Sequence, residues 1–519
     1  MRTSLPHIKA LDGLRGVAVV MILLFHAGHL RGGWLGVDLF FVLSGFLITS
    51  LLLSEWDTTG GVSLRAFWWR RGRRLLPALY ALLIGVCAWA AVFAGRADID
   101  RIREEGIATL FYVANWHAIY AGHDYWEIFR APSPLDHTWS LAIEEQFYLF
   151  WPPIVIIVLR EFRGSHRALW RTAVAMAVAS AGWMLFLFDP AEGTARVYFG
   201  ADTRAAATLL GAAVAASQSM RLRSWPGKNY TFGDAIAGAG FAVLLAGAIL
   251  LDGHNPIVYR GGLFALTIAS CGIIVGLLLA PNGIMSRTLS APPIRAIGTI
   301  SYGLYLWHWP IFITMTPERM GVEGLALTVE RLLVTFAFAS ISFYGLEKPI
   351  RRGGFAGPRL WTTATVSVCT MLFLGWVVVP GGGASRLIKS KAVASATEDH
   401  NSVDVLLIGD SIPYILGPEF VKAAEQHNIK SKVMGIEACG ALRTTGLRYL
   451  SGHTFDLIPC LSHRRNWIAT TRAFKPPSVI IFEGWSGEGS KKLGGKWSSP
   501  CSSHYDSAYT RDLTDLVDK

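Results

Sequence analysis

RGVAVVMILLFHAGH, Arg15–His29, places an arginine at the head of an apolar run and a histidine well inside it. His26 is eleven residues on from Arg15. At 1.5 Å per residue that is roughly 16 Å along a helix, about half the 30 Å apolar layer of a bilayer. With Arg15 at one interface, His26 is expected near the midplane of a span. An imidazole there is costly, and ionisable groups at such depth mark a pathway or a reaction.

The rest of the chain supports the bilayer reading. Hydrophobic residues make up 52% of the 519, charged ones only 16%, and tryptophan occurs 19 times. The mean hydropathy is +0.38. These values exclude an ordinary soluble domain and point to a polytopic α-helical membrane protein. The net charge of +11 is spread over short clusters between apolar runs, a pattern of membrane orientation and not of nucleic-acid binding. No cleavable signal peptide is evident, so the first run reads as a retained span.

Spans are expected over 13–30, 34–53, 74–94, 137–160, 168–187, 203–217, 234–251, 262–280, 298–316, 327–347 and 360–381, eleven in all. The segment 104–121 is interrupted by Glu104, Glu105, Asn115 and His117 and reads as interfacial or re-entrant; 203–217 is short enough to be tilted or half-inserted. Basic clusters at 70–74, 160–171, 221–228, 287–295 and 348–359 fall on one side, which puts the N-terminus in the cytoplasm. An odd number of spans then places everything after 382 outside.

The tail differs in kind. Residues 382–402 form a linker rich in Gly, Ser, Ala and charge, and the apolar runs then shorten to VDVLLIG (403–409) and SVIIFEG (478–484), the lengths of buried strands. An exported α/β module is expected over 403–519. Cys439, Cys460 and Cys501 lie in it, and Cys439 with Cys460 is the preferred disulfide.

KALDGLRGVAVVMILLFHAGH with GGWLGVDLFFVLSGFLIT, RRGRRLLPALY (70–80), LDHTWSLAIEEQFYLFWP (135–152), ISYGLYLWHWPIF (300–312) and FYGLEKPIRR (343–352) occur in an order that resembles the acyltransferase 3 family. These are integral membrane enzymes that move acyl groups onto glycans. The resemblance covers residues 8–352, with 360–381 as an additional transmembrane helix. It implies an acyl-CoA donor, acetyl-CoA by preference, an extracytoplasmic glycan or glycolipid acceptor in the cell envelope, no bound cofactor and no metal.

Within that resemblance His26, paired with Arg15, becomes a catalytic residue; a structural histidine is the alternative. The family's Arg-x-x-Arg falls on Arg71 and Arg74, where guanidinium forks suit the phosphates of a nucleotide-bearing donor, against a purely topogenic role. Glu145, beside His137 and Tyr148, is a second catalytic candidate; Glu144 and Glu145 are expected at the outer start of their span. Tyr148, Tyr302, Tyr305 and His308 are candidate substrate contacts, an interfacial aromatic belt being the alternative for the last three. Arg204, in DTRAAATLLGA, resembles a family block near the outer face; a snorkelling arginine is the other reading.

LLIGDSIPY resembles the first block of SGNH-type hydrolases, with Ser411 as nucleophile after Gly409 and Asp410, and Gly440 in EACGAL as an oxyanion donor. No Asp-x-x-His follows Ser411, so the module is expected to be truncated or degenerate. A transporter or flippase would also bury a histidine, but it predicts internal repeats, and none is evident. A sensor or scaffold derived from such an enzyme is the other alternative.

Overall fold

The computed structural model describes residues 8–93, 96–121, 133–190, 193–221, 230–351, 403–409, 411–435, 446–448, 454–456, 460–482, 490–493, 496–498 and 503–517. It divides into two units, Met1–Leu387 and Ile388–Lys519.

The described elements of the first unit are all helices. Its elements are α1 (Lys9–His26), α2 (Leu35–Thr59), α3 (Leu64–Phe93), α4 (Arg96–Leu110), α5 (Ala114–Tyr120), α6 (Trp139–Glu161), α7 (His166–Leu187), α8 (Ala195–Phe199) and α9 (Ala201–Arg221). They continue as α10 (Tyr230–Leu250), α11 (Leu263–Leu279), α12 (Ile284–Leu289), α13 (Pro292–Thr299), α14 (Ser301–Thr314), α15 (Pro317–Met320), α16 (Gly324–Ser342) and α17 (Lys348–Arg351). Seven helical segments among the described residues are long and apolar enough to cross a membrane, so the chain is a polytopic membrane protein. Three expected spans fall outside that set. The first, α1, carries Lys9, Asp12 and Arg15; α9 opens on Asp202 and Arg204; and α14 has only 14 residues. The span expected over 360–381 and the linker 382–402 lie outside the described residues.

Four expectations change. α1 ends at His26, four residues before the expected end of that span, so His26 sits on the last turn of its helix. α3 begins ten residues before the expected boundary and runs 30 residues through RRGRR, so Arg71 and Arg74 lie within the helix. α9, expected to be short, has 21 residues and packs along both α2 and α7. The span 298–316 breaks at Ile300, between α13 and α14. The segment 104–121 is interrupted, but at Tyr112, whose φ is +54°; Glu104 and Glu105 lie inside α4, and Asn115 and His117 inside α5.

Close helix approach depends on small residues, since lipid supplies no hydrophobic drive between helices. Gly45 on α2 lies against the Thr208 backbone of α9, and Gly211 on α9 against the Val42 backbone of α2. A side chain at either position would run into the other helix's main chain.

The second unit contains a three-stranded parallel sheet. β1 (Val405–Gly409) pairs with β2 (Ser431–Gly435) and β5 (Ser478–Phe482), in the order β2-β1-β5. Val405 aligns with Ser431 on one side and Ser478 on the other. β3 (Gly446–Arg448), β4 (Thr454–Asp456), β6 (Ser490–Leu493) and β7 (Lys496–Ser498) form a small antiparallel sheet. Leu406, Ile408 and Trp467 form the core. The α/β expectation holds for these elements. Cys439 lies outside the described residues, as does Cys501.

The α2–α9 contact gives a stability prediction. Gly45→Val or Gly211→Val should lower stability by about 1–3 kcal/mol through overpacking. Gly182→Ala, on an open face of α7 with nothing within 4 Å, should leave the thermal midpoint unchanged or slightly raised. Thermal unfolding in detergent distinguishes them.

Candidate active site

Three helices carry one polar face each. On α1, eleven residues is close to three full turns, so Arg15 and His26 share a side. α6 and the 3-10 turn before it, Asp136–Thr138, present His137, Ser140, Glu144 and Tyr148 at spacings of three and four. α14 presents Tyr302, Tyr305 and His308 three residues apart. The structure brings these faces together, arginines at one end and histidines at the other.

At the arginine end is a cavity of about 680 Å³, part of it open to the surroundings. Arg15, Arg71, Arg74, Glu144, Tyr148, Tyr302 and Tyr305 line it. Ser44 Oγ donates to Glu144 Oε1 at 2.8 Å and lies 2.8 Å from the Tyr148 hydroxyl. The Arg71 guanidinium lies 5.1 Å from the centre of the Tyr148 ring, a cation–π contact that holds the fork without consuming its hydrogen bonds. The Tyr302 hydroxyl donates to the Leu75 carbonyl at 3.0 Å. The other arginines of the RRGRR run turn elsewhere: Arg70 pairs with Glu55 at 2.9 Å, and Arg73 donates to the Ile350 carbonyl. The basic cluster thus divides into two cavity residues and two structural ones.

Glu144 and Glu145 are not at an outer helix start. Glu144 lies seven residues beyond His137, about 10 Å along the helix, and meets the arginines. The reason is the early start of α3, which carries Arg71 and Arg74 into the bundle. Glu144 lines the cavity and Glu145 does not, although Glu145 lies within electrostatic range of Arg71 and Arg74.

Tyr305 joins the two ends. Its hydroxyl is 2.6 Å from Ser140 Oγ and donates to the His137 carbonyl at 2.8 Å. Its own carbonyl is 2.7 Å from Nδ1 of His308, whose Nε2 is 3.0 Å from Nδ1 of His26. The Trp309 ring packs on His26 with centroids 4.7 Å apart. His137 completes the cluster: its Nε2 is 3.1 Å from the Leu306 carbonyl, and its ring meets His308 edge-on at 5.4 Å. His137 and His308 are buried and His26 half-buried. Tyr305 and His308 therefore face the bundle interior and not an interfacial belt. His137 was visible in the sequence only as a neighbour of Glu145; its i+3 spacing to Ser140 and i+7 to Glu144 was the available signal. Among the described residues no group of His, Cys, Asp and Glu has the arrangement to hold a metal ion.

Arg204 is not part of this site. Its Nη2 is 3.1 Å from Asp38, both side chains almost wholly buried, and its guanidinium lies over Phe41, Trp139 and Tyr198 at 4.9–5.8 Å. It is neither a snorkelling arginine nor a neighbour of Arg71 and Arg74.

In the second unit, the chain leaves β1 at Gly409, φ +151°, and a helix runs from Ser411 to Gln426. β1 has β2 on one flank and β5 on the other, so its carboxyl end is a switch point, where open α/β sheets bind ligands. Asp410 and Gly440 lie outside the described residues.

Residues 8–343 match the acyltransferase domain of the acyltransferase 3 family. The chain is 36% identical over 360 residues to the peptidoglycan O-acetyltransferase OatA of Listeria monocytogenes, covering 68% of this chain and 57% of that protein. It is 35% identical over 398 residues to the putative peptidoglycan O-acetyltransferase YrhL of Bacillus subtilis, covering 73% and 62%. With the O-acetyltransferase OatA of Staphylococcus aureus the identity is 33% over 464 residues, 82% and 76% of the two chains. The match thus spans less than two thirds of the length of the first two relatives. No solved structure matches the chain.

The Arg204–Asp38 pair gives a test of its structural role. Arg204→Met should destabilise the protein by about 3–5 kcal/mol, because Asp38 is left as a buried unpaired charge. Arg204→Met combined with Asp38→Leu should recover most of that loss. Thermal unfolding of the single and double variants measures it.

Proposed function

This chain belongs to the acyltransferase 3 family, and on that membership and the geometry above we propose that it is a membrane-bound O-acyltransferase. In this reading it takes an acyl group, acetyl by preference, from cytoplasmic acyl-CoA and delivers it to an extracytoplasmic cell-envelope glycan. The names of the relatives favour peptidoglycan as that glycan. The observation that carries the proposal is the run of facing side chains from Arg15, Arg71 and Arg74, through Tyr305, to His26.

The donor's phosphates dock on Arg71 and Arg74, whose planar forks suit two oxygens each. Glu144, tied to Ser44, keeps the arginine end from being uniformly positive. The pantetheine arm extends along α14 and brings the thioester to His26. There the acceptor oxygen adds to the thioester carbonyl while His26 takes the hydroxyl proton. The C–S bond then breaks and CoA leaves as the thiolate, to be protonated. The carrier need never cross the membrane; only the acyl group passes the histidine end. In a relative with an intact SGNH module, a serine in the place of Ser411 would receive the group outside and pass it to a sugar hydroxyl. The sequence carries no Asp-x-x-His after Ser411, so the weight of the proposal rests on the membrane unit.

Two outcomes check it in proteoliposomes with labelled acyl-CoA. His26→Ala should insert and fold while transfer falls by about 10²–10⁴-fold, the usual contribution of a general base; transfer at the wild-type rate would remove His26 from the mechanism. Arg71→Lys and Arg74→Lys should each raise the donor KM with little change in kcat, since lysine keeps the charge but not the fork. Unchanged donor affinity in both would return these arginines to a purely topogenic role.

A further inference from the structure

The hydrogen bonds at the histidine end determine which nitrogen of His26 holds its proton. A backbone carbonyl only accepts, so the 2.7 Å contact between His308 Nδ1 and the Tyr305 carbonyl requires a proton on His308 Nδ1. In a neutral imidazole the other nitrogen is then an acceptor. His308 Nε2 is 3.0 Å from His26 Nδ1, so His26 must donate from Nδ1, and its lone pair lies on Nε2. Burying an imidazolium is costly, and the rings of His26 and His137 lie 4.9 and 5.4 Å from that of His308, so a positive charge on any of them is disfavoured and the pair is neutral. His137 is set the other way: its Nε2 contacts the Leu306 carbonyl at 3.1 Å, which puts its proton on Nε2.

We propose that His308 is a positioning residue that holds His26 in its Nδ1-protonated tautomer, leaving Nε2 of His26 as the proton acceptor. The assignment deepens the acyltransferase reading, and rests on it only for its consequence in turnover. The fixed point is main chain: the Tyr305 carbonyl, on a helix that Tyr305 itself ties to Ser140 and to the His137 carbonyl. A side-chain carboxylate in that place would also set the tautomer, but it would bring a charge into the bundle. The chain of carbonyl, His308 and His26 does so without one. It also aligns the ring, since Trp309 packs on His26 at 4.7 Å and the Nδ1 contact removes the remaining rotation. His308 itself touches no reactant in this account.

Ring nitrogen-15 resonances of the full chain in bilayers read the tautomer directly, with His26 assigned by the signal lost in His26→Gln. The wild-type protein should show a neutral His26 protonated at Nδ1, and His137 protonated at Nε2. In His308→Phe, His26 should shift toward the Nε2-protonated form, and kcat should fall roughly 10- to 100-fold, part of a general base's contribution, with donor KM unchanged. His308→Gln offers an amide oxygen to His26 Nδ1 and should keep the wild-type tautomer and most of the turnover. A wild-type His26 protonated at Nε2, or a tautomer indifferent to His308→Phe, overturns the proposal. Should His308→Phe fail to fold, the wild-type spectrum and the His308→Gln variant still decide. Full turnover in His26→Ala together with the predicted spectrum would instead reject His26 as the base and leave the tautomer assignment standing.

Discussion

The bond between His26 and His308 is the contact around which the site is arranged. Within a bilayer, polar groups have no water to fall back on, and their partners must come from other parts of the protein. His26 finds its partner on α14, 282 residues away in sequence. That partner is fixed in turn by the main chain of its own helix, and the helix is held by Tyr305 to the segment that opens α6. Three helices far apart in the chain are thereby locked in one register. The same register lines up Arg15, Glu144 and Tyr302 at the opposite end, so a single set of contacts serves both the reacting end and the charged end.

The buried ion pair of Arg204 and Asp38 does a different job with the same kind of residue. It joins α9 to α2 where Gly45 and Gly211 allow the helices to approach closely. Its guanidinium lies over three aromatic rings, and neither residue of the pair lines the cavity of Arg15, Arg71 and Arg74. Two arginine environments therefore coexist in one membrane unit. One pairs its charge with a carboxylate inside the protein; the other gathers three guanidinium groups around a space that an anionic ligand can fill.

Much of this was legible in the sequence because periodicity carries it. The eleven-residue spacing from Arg15 to His26 already puts both on one helix face, and Tyr302, Tyr305 and His308 fall on another. The Arg-x-x-Arg spacing fits Arg70 with Arg73 as well as Arg71 with Arg74, so only the family resemblance singled out the second pair. What failed was depth. RRGRR reads as too polar to lie inside a span, yet α3 runs through it, because two arginines turn into a cavity while the other two find partners. The same error displaced Glu144 and Glu145. The first span was expected over 13–30, but α1 runs Lys9–His26, four residues earlier at both ends, which leaves His26 on its last turn. Arg204 with Asp38, and the partnership of His137 with His308, join residues 166 and 171 positions apart, and no local pattern announces such pairs.

The central claim is that one polar route joins the arginine end to the histidine end. A structure of the full chain with a non-transferable acyl-CoA analogue tests it most directly. The account predicts donor phosphates in contact with Arg71 and Arg74, and the thioester position within hydrogen-bonding distance of His26 Nε2. Phosphates bound elsewhere, with Arg71 and Arg74 unengaged, or an acyl group that ends away from His26, would contradict it.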